Sequence, residues 1–123
     1  MKKILLIEDE DLYANILKEK LKNDFEVIHV YDCLCGIKKL EEVNDISLII
    51  TDWMVPKMDG GKFSCLVKLN KKYSSIPIII LTGRKIPDTE MKAKRVNVNL
   101  IFYKQNVDWD EFIKKIKELV KNG

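Results

Sequence analysis

Five short apolar runs recur along this sequence, and a segment with helical spacing of its apolar residues follows each of them. The runs are far shorter than the roughly 20 residues of a membrane span, and they are apolar at consecutive positions. Such strands must be covered on both faces, as in a parallel sheet with helices on each side. The predicted strands are Lys3–Ile7, Glu26–Val30, Ser47–Thr51, Ile78–Leu81 and Leu100–Tyr103. This alternation predicts an α/β fold, a doubly wound five-stranded parallel sheet with five helices.

The segments between these strands are predicted to be helical. The helices are expected over a segment with Leu12, Ile16, Leu17 and Leu21 at helical spacing, near Cys35–Val43, near Lys62–Lys72, over Asp88–Val96 and over Trp109–Val120. The last is the best marked, because Asp108 can cap it and Glu111 follows three residues later, as in a capping box. The fourth has only a thin apolar stripe, so we expect a short or mobile element there.

Length and composition favour a single domain. With 123 residues, 46% of them hydrophobic, the chain can bury one core, and we expect one domain over residues 1–123. Acidic residues follow the first apolar run too soon for an export signal. The three cysteines, an odd number, favour reduced thiols. We therefore expect a cytoplasmic protein with no membrane partner.

The net charge of +3 conceals an uneven distribution of charge. Residues 1–60 carry 8 basic and 13 acidic side chains, whereas residues 61–123 carry 14 basic and 6 acidic. The basic residues of the second half are scattered, and no pattern of aromatic residues accompanies them. We therefore favour lysines that solubilise helix faces over a surface for an acidic partner, and we expect no direct binding of nucleic acid.

Polar side chains follow four of the predicted strands. Glu8 and Asp9 come after the first strand, Asp52 after the third, Thr82 after the fourth and Lys104 after the fifth. In folds of this class, ligands bind beyond the carboxyl ends of the strands, so these residues form one candidate site. Three neighbouring carboxylates require positive charge, and hard oxygen ligands favour Mg²⁺. An aspartate beside a divalent cation and a lysine can act as a nucleophile on phosphorus.

In these motifs the sequence resembles the receiver domain of bacterial two-component response regulators. The resemblance rests on the pair Glu8-Asp9, the segment Asp52–Gly60, Thr82 before a glycine, and Lys104. The spacings are 43 residues from Asp9 to Asp52, 30 on to Thr82 and 22 more to Lys104. The resemblance covers essentially the whole chain and implies a flavodoxin-like sheet with strand order 2-1-3-4-5.

The resemblance also implies a function. Asp52 would take a phosphoryl group from a phosphohistidine on a sensor histidine kinase or phosphotransfer protein. Thr82 would hydrogen-bond the phosphoryl oxygens, and Lys104 would pair with one of them. The implied Mg²⁺ ligands are Glu8 through a water, Asp9, Asp52 and the backbone carbonyl of Met54. The domain would catalyse only its own phosphorylation and dephosphorylation, and its altered surface would bind a downstream effector domain or protein or a second copy in a homodimer.

Two residues depart from the family pattern. Gln105 follows Lys104 where the family has a proline with a cis peptide bond. A cis bond before a residue other than proline costs about 2.5–4 kcal/mol, so we expect a trans bond and a shifted loop. Ile101 stands three residues before Lys104, where the family has its switch aromatic residue. Switching would then rely on the weak fourth helix, or the domain would switch poorly.

Three other functions remain open on the sequence. A flavodoxin-like module for a flavin or nucleotide would use the same fold, but no glycine-rich phosphate loop follows the first strand. A haloacid-dehalogenase-type phosphatase would use an aspartate nucleophile and Mg²⁺, but it needs an acid two residues later, where Met54 stands. A pseudo-receiver that only binds partners is kept open by Ile101 and Gln105.

Overall fold

A five-stranded parallel sheet forms the centre of the molecule. The computed structural model describes residues 1–83 and 98–121. Its strands are β1 (Lys2–Ile7), β2 (Phe25–Val30), β3 (Ile46–Thr51), β4 (Ile78–Thr82) and β5 (Leu100–Tyr103). They lie in the order β2-β1-β3-β4-β5, and every neighbouring pair is parallel. The predicted fold class and strand order are therefore confirmed.

Four α-helices and one short 3₁₀ turn lie within the described residues. They are α1 (Asp11–Leu21), α2 (Cys33–Glu42), α3 (Gly60–Leu69), the 3₁₀ turn Lys104–Asn106 and α4 (Trp109–Lys121). The helix predicted at Asp88–Val96 lies outside the described residues. Within them, no helix combines the length and the apolar character that crossing a membrane requires.

Aspartate side chains fix where three of the helices begin. The carboxylate of Asp32 accepts a hydrogen bond from the backbone N–H of Cys35 at 2.8 Å, and that of Asp59 accepts one from Lys62 at 2.7 Å. Because these caps satisfy free N–H groups, α2 and α3 begin two residues before the positions expected from sequence. Asp108 caps α4 as predicted, accepting from the N–H of Glu111 at 3.2 Å.

The sheet separates two layers of core. On one face, α1 and α4 cover alternate residues of the central strands, and on the other face α2 and α3 cover the rest. Phe112 and Ile116 of α4 are fully buried in the first layer, and Phe63 of α3 is fully buried in the second. Consecutive apolar residues in β1, β3 and β4 are therefore buried on both sides, as the run pattern requires.

One part of the helix prediction was wrong. The sequence placed Leu12 and Ile16 on the apolar face of the first helix, but Leu12 is 79% exposed and Ile16 is 38% exposed. Leu17 and Leu21 are buried as predicted, and the third buried residue of α1 is Ala14. The buried stripe of α1 therefore begins at Ala14. Alanine is small and only weakly hydrophobic, so the spacing of large apolar residues does not reveal it.

Candidate functional site

The strand order brings the predicted site residues to one edge of the sheet. Glu8 and Asp9 follow β1, Asp52 follows β3, and these two strands are neighbours. Thr82 is the last residue of β4 and lies opposite Tyr103 of β5, so Lys104 begins directly beyond it. All four strand ends therefore converge, as expected for strands 1, 3, 4 and 5 side by side.

Lys104 connects the carboxylates of this edge. Its Nζ lies 2.6 Å from Oε1 of Glu8, 2.9 Å from Oδ2 of Asp52 and 3.4 Å from Oε1 of Glu10. Its side chain is only 9% exposed. Burial by itself lowers the pKa of Lys104, but the hydrogen bonds to Glu8 and Asp52 outweigh burial and hold its pKa above the ordinary value. The ammonium is therefore a fixed positive charge beside Asp52.

Asp52 is held in one orientation. Its Oδ1 accepts a hydrogen bond from the backbone N–H of Met54 at 3.1 Å, while Oδ2 faces Lys104. Its own N–H donates to the carbonyl of Ile7 at 3.3 Å, and its carbonyl accepts from the hydroxyl of Thr51 at 2.9 Å. The residue is 7% exposed. Asp52 thus presents a carboxylate of fixed direction at a nearly closed site.

Glu8 is the most deeply buried acid of the site. It is 2% exposed, and its Oε2 accepts from the backbone N–H of Glu10 at 3.2 Å. Burial raises the pKa of the Glu8 carboxyl above its ordinary value, and the hydrogen bond from Lys104 opposes that rise. Glu8 therefore depends on Lys104 to carry its charge.

The acidic side chains form a compact cluster. Carboxylate oxygens of Glu8, Asp9 and Glu10 all lie within 4.8 Å of one another. Asp52 does not belong to this cluster, and Lys104 joins it to Glu8 instead. Oxygen donors with net negative charge fit a hard divalent cation such as Mg²⁺. Glu10 is not among the site residues expected from the sequence.

Thr82 and Gly83 complete the edge at the end of β4. Thr82 is 1% exposed. A Cβ placed on Gly83 would lie 4.0 Å from Cδ of Lys104, so the lysine stem passes beside the end of β4. The end of β4, which carries Thr82, therefore lies next to the Lys104 side chain.

The loop after Asp52 is fixed by close packing on α3. Gly60 donates its N–H to the carbonyl of Trp53 at 2.8 Å, and the indole of Trp53 lies directly against Gly61. In the same loop Lys57 has a φ of 72°, and its ammonium lies 3.4 Å from the capping carboxylate Asp32. The close approach of neighbouring atoms therefore requires glycine at the first two positions of α3.

The two unusual residues near Lys104 occupy ordinary environments. Ile101 is half-buried and packs in the core layer of α2 and α3. The described residues include no cis peptide bond, so the bond between Lys104 and Gln105 is trans, as predicted. A 3₁₀ turn begins at Lys104 itself. The expected shift of this loop stays a prediction.

Tyr13 is a second residue that sequence analysis missed. It projects from α1 so that Nζ of Lys104 lies 4.6 Å from the centre of its ring. Helical spacing alone gives no sign of this contact, because it depends on how α1 lies against the end of β5.

Comparisons with known proteins identify similar sequences and similar folds. The chain matches the model of the response regulator receiver domain family over residues 4–117. The chemotaxis protein CheY homolog of Campylobacter jejuni strain 81-176 is 30% identical over 97 residues, 74% of this chain and 74% of that protein. The crystal structure of the Mn²⁺-bound form of response regulator Rcp1 superposes with a TM-score of 0.80 at 26% identity, covering 97% of this chain and 91% of that one.

A further relative is much longer than this chain. Hybrid signal transduction histidine kinase D of Dictyostelium discoideum is 27% identical over 96 residues, which are 78% of this chain. The chain spans only 6% of the length of that kinase.

Proposed function

Because the chain belongs to the receiver domain family of response regulators, a family of phosphoacceptors in two-component signalling, we propose that Asp52 is the residue that accepts the phosphoryl group. The donor is a phosphohistidine on a sensor histidine kinase or a phosphotransfer protein. The observation that carries this proposal is the placement of the Lys104 ammonium 2.9 Å from Oδ2 of Asp52. Residues 1–123 act as a single receiver unit in this proposal.

The transfer is a substitution at phosphorus. A carboxylate oxygen of Asp52 forms a bond to phosphorus, the bond from phosphorus to the histidine nitrogen breaks, and its electron pair returns to the imidazole. Lys104 pairs with one phosphoryl oxygen, and the hydroxyl of Thr82 donates a hydrogen bond to another. Both contacts act where negative charge accumulates on the transferring group. The hydrogen bond from Met54 N–H to Oδ1 of Asp52 supports this role, because it leaves Oδ2 on the side of Lys104.

The proposed metal is Mg²⁺. It would be held by Asp9, Asp52 and the backbone carbonyl of Met54 directly, and by Glu8 through a water. The cluster of Glu8, Asp9 and Glu10 supports the part of this assignment that concerns Glu8 and Asp9, because it offers only hard oxygen donors. The metal would neutralise negative charge on the acidic residues and on the transferring phosphoryl oxygens.

The output of the domain is a changed binding surface. Phosphorylation adds about −1.5 to −2 charges at neutral pH, enough to bias two arrangements of the surrounding loops. The bound partner is a downstream effector domain or protein or a second copy in a homodimer. The domain would catalyse only its own phosphorylation and dephosphorylation. The three cysteines are free, which supports a cytoplasmic location.

Intact mass after incubation with acetyl phosphate tests the proposal. The natural sequence should gain one phosphoryl group with Mg²⁺ present and little with a chelator. Asp52→Asn should gain none, because the nucleophile is lost. Asp59→Asn is the matched control, an exposed aspartate of the same loop whose carboxylate caps α3, and it should still gain the group. Uptake that persists in Asp52→Asn, or no uptake by the natural sequence under any condition, would contradict the proposal and favour a pseudo-receiver.

A further inference from the structure

A tyrosine ring lies directly beside the one cation that contacts Asp52 among the described residues. Nζ of Lys104 is 4.6 Å from the ring centre of Tyr13, well within the range of about 6 Å for cation–π attraction. Both side chains are largely withdrawn from water, since the lysine side chain is 9% exposed and the tyrosine is half-buried. Removal from water strengthens such a contact.

The ring is fixed in place by other aromatic residues. Tyr13 packs on Trp109 with ring centres 6.2 Å apart, and Trp109 meets Phe112 edge to face at 5.5 Å. Phe112 is fully buried, and Phe102 of β5 packs on it at 4.9 Å. The position of the Tyr13 ring is therefore set by the core between α1 and α4.

The hydroxyl of Tyr13 contributes little to this arrangement. It is buried, and within residues 1–83 and 98–121 it has no hydrogen-bond partner. Burial of a polar group without a partner is unfavourable. The contact of Tyr13 with Lys104 is therefore made by its ring and not by its hydroxyl. A phenylalanine at this position would keep the ring and remove the unpaired hydroxyl.

Besides Glu8 and Asp52, Lys104 contacts a third acid, which lies towards solvent. Glu10 is exposed, and its carboxylate lies 3.4 Å from the ammonium. On another side of the lysine stem, Gly83 offers no side chain to confine it. Besides its ion pairs with Glu8 and Asp52, the ammonium therefore has one more contact that opposes movement towards Glu10, the ring face of Tyr13.

We propose that Tyr13 is a positioning residue for phosphoryl transfer, whose ring holds the Lys104 ammonium at Asp52 and limits its movement towards Glu10. This inference rests on the proposed function and adds to it a residue outside the strand-end motifs. The hydroxyl takes no part, so the role belongs to the ring face.

The initial rate of phosphoryl uptake from acetyl phosphate tests this role. Tyr13→Leu should lower the rate about fivefold, the ratio that corresponds to a contact of about 1 kcal/mol. Tyr13→Phe should keep the parental rate, because the ring remains. Tyr73→Leu is the matched control, because it also removes a ring near a lysine: Nζ of Lys72 lies 5.7 Å from the centre of the Tyr73 ring. Both residues line a cleft beside the start of β3, at the end of the sheet opposite to Asp52. This control should also keep the parental rate.

Combination with Lys104→Met separates positioning from a general structural effect. If Tyr13 acts through the lysine, Tyr13→Leu should cause no further loss of rate once Lys104 is methionine. The same fivefold loss in both backgrounds would overturn the proposal, as would a loss in Tyr13→Phe equal to that in Tyr13→Leu. Tyr13→Met replaces Tyr13→Leu if circular dichroism shows that the leucine variant is unfolded.

A second measurement does not depend on phosphorylation. An aromatic ring face shields nearby nuclei, so the side-chain methylene protons nearest the Lys104 ammonium should resonate upfield in the parent and in Tyr13→Phe. They should move downfield in Tyr13→Leu or Tyr13→Met, with Lys104→Met used to assign the signals. Unshifted signals in the parent would overturn the positioning role. Failure of the parent to take up phosphoryl groups, with the upfield shift present, would instead count against the proposed function.

Discussion

Alanine at Gly60 should destabilise the protein, because no side chain can move aside to admit it. A Cβ at this position would lie 2.5 Å from the carbonyl oxygen of Asp52, 3.2 Å from its carbonyl carbon and 3.1 Å from Cα of Trp53. All three are backbone atoms. The main chain next to the proposed phosphoacceptor would have to shift.

The expected size follows from two opposing effects. Overpacking of a tight site costs about 1–3 kcal/mol. Alanine is favoured over glycine by about 1 kcal/mol within a helix, and by less at the first residue of α3. We therefore expect Gly60→Ala to lower the free energy of unfolding by about 1–2 kcal/mol. Uptake of phosphoryl groups should fall as well, because the displaced backbone carries Asp52.

Gly36→Ala is the matched comparison. Its added Cβ would lie 2.7 Å from Cδ1 of Ile7, the flexible end of a side chain that can change rotamer. It also lies inside α2, where alanine gains the full helix preference, so its free energy of unfolding should change by less than about 1 kcal/mol. Urea denaturation followed by far-ultraviolet circular dichroism measures both variants. Equal stability of Gly60→Ala and the parent, or a larger loss in Gly36→Ala, would refute this reasoning.

Three further predictions concern metal, thiol chemistry and capping. Mg²⁺ at ten times its dissociation constant should raise the free energy of unfolding by about 1.4 kcal/mol, and Asp9→Asn should reduce this gain in urea titrations; an equal gain in both would count against the metal site. Burial raises the pKa of the Cys33 thiol to about 12. At pH 8 a disulfide reagent should therefore modify the exposed Cys35 and Cys65 quickly, and Cys33 only after urea unfolds the chain. Equal rates at all three cysteines would contradict this. Asp108→Ala should cost about 1 kcal/mol of stability by removing the cap of α4, whereas Asp110→Ala, an exposed neighbour, should cost less in the same urea assay.

The strands and the strand-end residues of the site were predictable because each depends on local sequence. Runs such as Ile78–Leu81 require burial on both faces whatever surrounds them, and a parallel sheet then places their ends together. The convergence of Asp52 and Lys104 also requires the strand order, which the family resemblance implied and the structure confirms. The start of α4 followed from a local cap at Asp108.

Other features depend on how distant segments pack, and the sequence alone could not specify them. Leu12 and Ile16 fit an apolar stripe as well as Leu17 and Leu21 do, and only the orientation of α1 decides between them. That same orientation brings Tyr13 to Lys104 and Glu10 to the acidic cluster. The close approach of Gly61 to the Trp53 ring likewise depends on packing that helix propensity does not describe.

Ile101 and the aromatic residue that follows it in β5 pack on opposite faces of the sheet. Successive residues of β5 point to opposite faces of the sheet, so Ile101 packs with the α2 and α3 layer, whereas Phe102 packs on Phe112 in the α1 and α4 layer. The chain places an aliphatic side chain on the face where its family has a switch aromatic residue. The aromatic rings that run from Phe112 through Trp109 reach the Lys104 ammonium, through Tyr13, from the other face. Any coupling of Lys104 to aromatic packing in this domain therefore has its physical contacts on the side of α1 and α4.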